Sequence, residues 1–341
     1  MAIKGTRNPT LRDLHNGLKE DGSFDRDIVE LVLEANADLL ADAVVKEANG
    51  TENDRTTIRT GLPDATWTAY YEGTQPSKGS KKQVSNSIGT LKSLIQVDKD
   101  QIDDSPNGPE EMLDEAFTHA QAMGNEVSDA VFYGNTKVNA KKFNGLAPVY
   151  NAYGGTDTKL SSHYCLQSSA RSTSVSNSAL RSIWLVGWGR RGAYLHYPRG
   201  SKGGLERGPV KDNTITMEDG VSRLEVKEQF FKWRVGLTVK DFRSCGRICN
   251  IESNNLSTLD KDLGEDMLRL KTRVKTAGLK PVWYMPESVY EWLAVKTRRQ
   301  VLVTSFTFKD IGGQEVMHFD GIPIRKLDCL EVNEAVVASA S

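Results

Sequence analysis

The sequence predicts an α+β fold, and three observations carry that prediction. An apolar stripe at helical spacing runs through Pro109–Tyr133, the strongest helix signal in the chain. Strand-like runs fill the second half, at Ser182–Val186, Gly192–His196, Ser222–Glu228 and Trp233–Asp241, and they return at the end in "VMHFDGIPIRKLDCLEVNEAVV". Ahead of the long helix, Gly61–Asp98 reads as a hairpin whose polar turn, Gly73–Lys82, carries three lysines. No internal repeat links these parts.

Taken in order, Met1–Ser23 is polar and aperiodic and reads as an extended arm. Residues 25–46 read as an amphipathic helix, with Ile28, Leu31, Val32, Ala35, Leu39 and Ala43 at helical spacing. In the hairpin, Trp67, Ala69 and Tyr71 share a face of the first strand, Val84 and Ile88 a face of the second, and Ile95 and Val97 its continuation. A two-stranded hairpin of this length is marginal alone in water, so something must cover it. In the long helix Pro109 suits the first turn, Glu110 and Glu111 complement the N-terminal dipole, and Gly134-Asn135 is the stop. Its expected core stripe is Leu113, Phe117, Ala120, Val127 and Val131, which makes Phe117 buried and Glu111 exposed. Beyond "FNGLAPVYN" comes a Gly/Ser/Thr-rich stretch, Ser161–Ser182. Leu259–Thr276 reads as a helix with Ser257 as cap and Gly278 as stop, and "MPESVYEWLAVKTRR" as a shorter one behind Pro286. Pro323 argues that the last strand is an edge or bulged.

The 341 residues suffice for two or more lobes. With 44 basic against 45 acidic residues, overall charge points to neither a nucleic-acid nor a membrane partner. Cys165, Cys245, Cys249 and Cys329 are too few and scattered for a disulfide scaffold, so a reducing compartment is the expectation. The start has no apolar leader, and no apolar run is long enough for a membrane helix.

Catalytic and metal patterns are missing from the text. His15, His119, His163, His196 and His318 show no ligand spacing with Cys, Asp or Glu, and read as surface or satisfied side chains. Cys245 and Cys249 have no second pair and read as small apolar groups in a packed strand. The glycine-rich loop from Arg199 to Gly208 lacks the spacing and context of a phosphate loop. The carboxylates of "QVDKDQIDDS" read as a solvated acidic turn. No enzyme, cofactor or metal is therefore expected.

One local bias stands out. Arg181–Asn250 holds 14 Lys/Arg against 7 Asp/Glu, interleaved with Trp184, Trp188, Tyr194, Tyr197 and Trp233. A basic groove with stacking aromatics suits single-stranded nucleic acid, which makes a nucleic-acid-binding module using residues 181–250 the alternative function. The opposing reading packs the aromatics inside and pairs the arginines with acidic neighbours on another subunit.

Three stretches, "GLPDATWTAYYEGTQPSK", "FNGLAPVYN" and "KPVWYMPESVYEWL…HFDGIPIRKLDCLEVNEA", together resemble the major capsid (coat) proteins of tailed bacteriophages. The aromatic-x-Gly-Ile-Pro-Ile-Arg run, followed by Asp and then Glu-Ala, is the most specific. The chain looks most like the subgroup of this size in short-tailed phages, with the Hong Kong-phage-type coat fold. The resemblance implies an N-terminal arm and helix (1–50), an elongated β-hairpin loop (51–105), a peripheral domain with a long spine helix (106–151), an axial domain (152–300) and return strands (301–341). It implies a non-catalytic subunit that self-assembles, as hexamers and pentamers, into the icosahedral shell around phage double-stranded DNA. Scaffolding, portal and decoration proteins would be partners, the packaged DNA would be held without sequence preference, and no membrane would be involved. The protein would be made in the host cytoplasm and reside in the virion. The hairpin, led by Trp67 and Tyr71 with Lys78, Lys81 and Lys82, would lie on a neighbouring copy. Those lysines read as a solubility device at a loop tip, with the lysine–asparagine cross-link of some relatives as the lesser reading. Arg190, Arg191, Arg199 and Arg207 of the axial lobe would pair across subunits.

Overall fold

The computed structural model describes residues 37–105, 108–158, 160–169, 180–217, 220–253, 263–299, 306–311 and 314–340. In chain order these form α1 (Ala37–Asp42), β1 (Val45–Glu47), β2 (Asn53–Arg59), β3 (Lys81–Ser87), β4 (Gly89–Asp98), α2 (Lys99–Asp104), α3 (Gly108–Tyr133), β5 (Ala152–Tyr153) and β6 (Cys165–Gln167). There follow β7 (Leu180–Trp188), β8 (Ala193–Tyr197), β9 (Leu205–Arg207), β10 (Lys211–Thr216), β11 (Arg223–Val239), β12 (Cys245–Glu252) and α4 (Leu263–Arg273). The chain ends with β13 (Lys280–Met285), α5 (Glu287–Arg299), β14 (Phe306–Ile311), β15 (Gln314–Phe319), β16 (Ile322–Lys326) and β17 (Ala338–Ser339). The mixed α+β class is as expected. The polar arm and residues 25–36 of the first expected helix lie outside the described residues; of the remainder only Ala37–Asp42 is helical (α1), and Val45 and Lys46 belong instead to β1.

The chain divides into two compact units. In the first, which includes residues 90–128 and 204–234, β4 pairs with β11, and β11 also pairs antiparallel with β9 and β10. Ile95 and Val97 of β4 point into a core with Ile102, Met112, Ala116, Met123 and Phe231. The stripe of α3 that faces this core is therefore Met112–Ala116–Met123, not the expected Leu113–Phe117. Phe117 is 69% exposed and Leu113 42% exposed, whereas Glu111 is 2% exposed and accepts a hydrogen bond from the Ser105 hydroxyl at 2.6 Å. The helix carries apolar residues on two faces, and packing selects the other one. From Val127 to Phe132 the expected burial holds, at Val127 and Val131.

The second unit, residues 35–89, 129–203 and 235–341, is built around β7. That strand is buried along its whole length because β12 and β13 pair with it antiparallel on either side. Trp184, Trp188, Trp283 and Tyr284 fill the interior around it. Strands β16, β15 and β14 extend the sheet beyond β13. Cys245 and Cys249 are buried in β12, as expected. The "FNGLAPVYN" stretch folds back on the end of α3: the amides of Gly145, Leu146 and Ala147 donate to the carbonyls of Gly134, Val131 and Phe132 at 2.8–2.9 Å. They satisfy carbonyls that a helix end leaves without partners. A Cβ at Gly145 would stand within 2.9 Å of three helix carbonyl oxygens, so only glycine permits this approach.

Three further expectations need correction. Ser222–Glu228 and Trp233–Asp241 are not separate strands but lie along the single 17-residue β11. Pro323 is not on an edge, because β16 lies between β13 and β15. Ile322 and Pro323 of β16 pair with Phe319 and His318 of β15, while the ladder to β13 begins only at Ile324, so no neighbour on the β13 side asks for the missing N–H. Trp67, Ala69 and Tyr71 lie in a loop; the first hairpin strand is β2, a polar segment without the alternation that marks strands.

Candidate assembly interface

The hairpin stem pairs β2 with β3 antiparallel from Asn53↔Ser87 to Arg59↔Lys81. Main-chain bonds between Thr60 or Gly61 and Ser80, and the Thr60–Ser80 hydroxyl pair at 2.8 Å, close the ladder. Beyond them the loop to Ser80 is exposed along almost its entire length. Its turn is drawn by Glu72, whose carboxylate accepts from the Ala69 amide at 2.9 Å, with Tyr71 at φ 69°. A bulky residue in the left-handed region costs of order 1 kcal/mol. Trp67, Tyr70 and Tyr71 are fully exposed, and Leu62 is 75% exposed. Each aromatic ring, burying roughly 200 Å² against a partner, would contribute about 5 kcal/mol gross at ~25 cal/mol per Å². Lys78, Lys81 and Lys82 are exposed, the last two on β3.

The stem is held at its base by residues that sequence reading missed. Asp54 of β2 is fully buried and accepts from the Tyr194 hydroxyl at 2.7 Å, the Thr238 hydroxyl at 3.3 Å and the Asn49 amide at 3.3 Å. Beside it His196, also fully buried, bonds the Thr238 hydroxyl through Nδ1 at 3.1 Å, while its Nε2 has no partner. The histidine was expected to be at the surface or satisfied; it is buried and half satisfied. Burial pushes its pKa down to about 4, against the nearby Asp54 charge, which works the other way. Gly236 underlies this site: a Cβ there would meet His196 Nε2 at 2.5 Å and the Ser87 carbonyl at 2.6 Å. No periodicity marks such a site, and only the aspartate at the polar start of β2 hints at it.

Arg190 and Arg191 occupy the turn between β7 and β8, and Arg199 follows β8; all three are exposed. Arg207, on β9, is exposed too but belongs to the other compact unit. None of the four makes a salt bridge among the described residues. Other cations of the basic segment are already paired within the chain: Arg181 with Glu331 at 3.1 Å, Arg234 with Glu206 at 3.4 Å, Arg247 with Glu334 at 2.7 Å, and Lys227 with Asp103. Trp184, Trp188 and Tyr194 are at most 1% exposed, so they cannot stack on bases, and the nucleic-acid groove loses its aromatic platform.

Glu334, the Glu of the Glu-Ala pair in the C-terminal motif, is the hub of a second buried cluster. It accepts from the Tyr133 hydroxyl at 2.6 Å and from the Ser182 hydroxyl, and Arg247 in turn bonds Ser182 and the Tyr150 carbonyl at 3.0 Å each. Among the described residues no group of three or more His, Cys, Asp or Glu could hold a metal ion, and no helix is long and apolar enough to cross a membrane.

The family model of major capsid protein GP7 matches residues 19–338. A near-atomic structure of bacteriophage Epsilon15 contains a chain with 27% identity and a TM-score of 0.77, the alignment covering 100% of both chains. The capsid of bacteriophage JBD30 matches at 12% identity with a TM-score of 0.51, over 96% of this chain and 100% of that one. No curated protein sequence matches.

Proposed function

Because the chain belongs to the family of major capsid protein GP7, a family of structural subunits of icosahedral phage shells, we propose a division of labour for its exposed elements. As a member the protein is a self-assembling, non-catalytic component of the virion capsid with the tailed-phage coat fold. The hairpin loop lays Trp67 and Tyr71 on a neighbouring copy, with Lys78, Lys81 and Lys82 keeping the unassembled tip soluble. Arg190, Arg191, Arg199 and Arg207 meet carboxylates of adjacent copies where hexamers and pentamers close. Identical copies bring like charges together there, and repulsion must be offset by opposite charge.

The observation that carries this reading is the pairing of a rigidly rooted stem with a fully exposed aromatic loop. Large apolar groups held out in water signify a partner. By the same reading the chain is an arm and helix (1–50), elongated loop (51–105), peripheral domain (106–151), axial domain (152–300) and return strands (301–341), with 204–234 packing in the same compact unit as the first part of the spine helix. The phage is of the short-tailed subgroup, the subunit is made in the host cytoplasm, and scaffolding, portal and decoration proteins and non-specifically held DNA are its further partners. Electron microscopy of the expressed protein tests the core of this: closed shells, sheets or tubes are expected, and a population of monomers only would overturn it.

A further inference from the structure

At the loop end of the hairpin stem lies a cavity of about 1080 Å³, within the second compact unit. Its wall carries Arg59, Arg191, Lys240, Arg243, Arg273 and Lys275 against a single carboxylate, Asp241. That carboxylate is already committed: Arg243 grips it through Nε and Nη2 at 2.9 Å each. Arg273 spends one donor on the His163 carbonyl at 3.0 Å. Arg59, Arg191, Lys240 and Lys275 make no salt bridge among the described residues. So much like charge around one cavity is unfavourable unless an anion enters it. Between the cations the lining mixes apolar surface, from Ile58, Leu62, Tyr164 and Phe242, with threonines. Such a surface suits an acidic protein segment better than the uniformly polar backbone of a nucleic acid.

The chain itself supplies a segment of this kind. Four of the seven residues from Asp98 to Asp104 are aspartates. Asp98 caps α2, accepting from the Asp100 amide at 3.1 Å, and Asp103 pairs with Lys227. Asp100 and Asp104 are exposed and without salt bridges among the described residues. In a shell, the surface brought repeatedly against any subunit is that of another copy.

We propose that the basic cavity at the loop end of the hairpin stem receives the acidic turn around α2 of a neighbouring copy, with Asp100 and Asp104 meeting Arg191 and Lys240. The inference rests on the shell reading above. Because the cavity wall includes Arg59 to Leu62, where the stem gives way to the loop, its occupant also fixes the direction in which the loop leaves the stem, so filling it couples one intersubunit contact to the other.

A charge swap tests this. Arg191→Glu/Lys240→Glu, and separately Asp100→Lys/Asp104→Lys, are each expected to lower the yield of closed shells at least tenfold. All four residues are exposed, so the thermal midpoint of the unassembled subunit should not move. The variant with all four changes should recover most of the wild-type yield. Wild-type-like assembly by either pair alone, or a fourfold variant as defective as its parents, would overturn the proposal. So would an Arg191→Glu/Lys240→Glu shell of normal yield that has lost only its DNA, which would assign the cavity to phosphate. Wild-type protein in the same preparation reports on shell formation itself, so that a failure of the shell reading is recognised separately.

Discussion

Arg247 and Glu334, 87 residues apart in sequence, meet at 2.7 Å with each side chain 5% exposed. The pair joins β12 to the C-terminal segment, and the Tyr133 hydroxyl at the end of the long helix donates to the same carboxylate. The guanidinium also lies over the Trp184 ring, 4.9 Å from its centroid. Removing one member leaves the other charge buried and unpaired. Arg247→Met is therefore expected to cost about 3–5 kcal/mol, read as a fall in the urea midpoint of the unassembled subunit. Arg247→Met with Glu334→Leu should cost clearly less than either change alone; additive losses would show that packing, not charge, is at stake.

Trp67 is fully exposed on its own subunit. Trp67→Ala should leave the denaturation midpoint of the subunit within about 0.5 kcal/mol of wild type while reducing assembly. A destabilised monomer that still assembles normally would place the hairpin in the core instead.

The two faces of α3 give opposite expectations for neighbouring residues. Met123→Ala removes a side chain from the core around Phe231 and should cost about 2–5 kcal/mol. Phe117→Ala should cost less than about 1 kcal/mol, since the ring is largely in water. Equal losses in a chemical denaturation series would contradict the assigned phase of the helix.

His196 makes the stem sensitive to acid. Its folded pKa, about 4, lies below the ordinary value of 6.5, so the unfolded chain takes up a proton first as pH falls. The associated stability is complete above about pH 6.5 and is lost progressively down to about pH 4, amounting to about 2 kcal/mol at pH 5. Facing groups are Asp54, which favours the proton, and Lys46, which opposes it. Comparing unfolding midpoints at pH 7 and pH 5 should show this loss in the wild type and a smaller one in His196→Asn. Identical slopes would exclude His196 as the titrating group.

Where one environment dominates a segment, the sequence determined its structure unaided. The helix Gly108–Tyr133 with its acidic first turn, the Ser182–Val186 part of the strand Leu180–Trp188 and the helix behind Pro286 are all legible in this way. So was the family, because "FNGLAPVYN" and the Glu334 motif perform tasks, capping a helix and neutralising Arg247, that need particular residues. Tertiary structure alone decided which apolar stripe of the long helix turns inward, because Leu113–Phe117 and Met112–Ala116 are both apolar and one residue out of phase. It alone showed that polar Asn53–Arg59 is a strand and that Asp54 within it is buried. Periodicity records how apolar a face is, but not what will cover it. In a chain built to meet copies of itself, faces meant for the core and faces left for a neighbour carry the same pattern, and only the packing of the rest of the chain tells them apart.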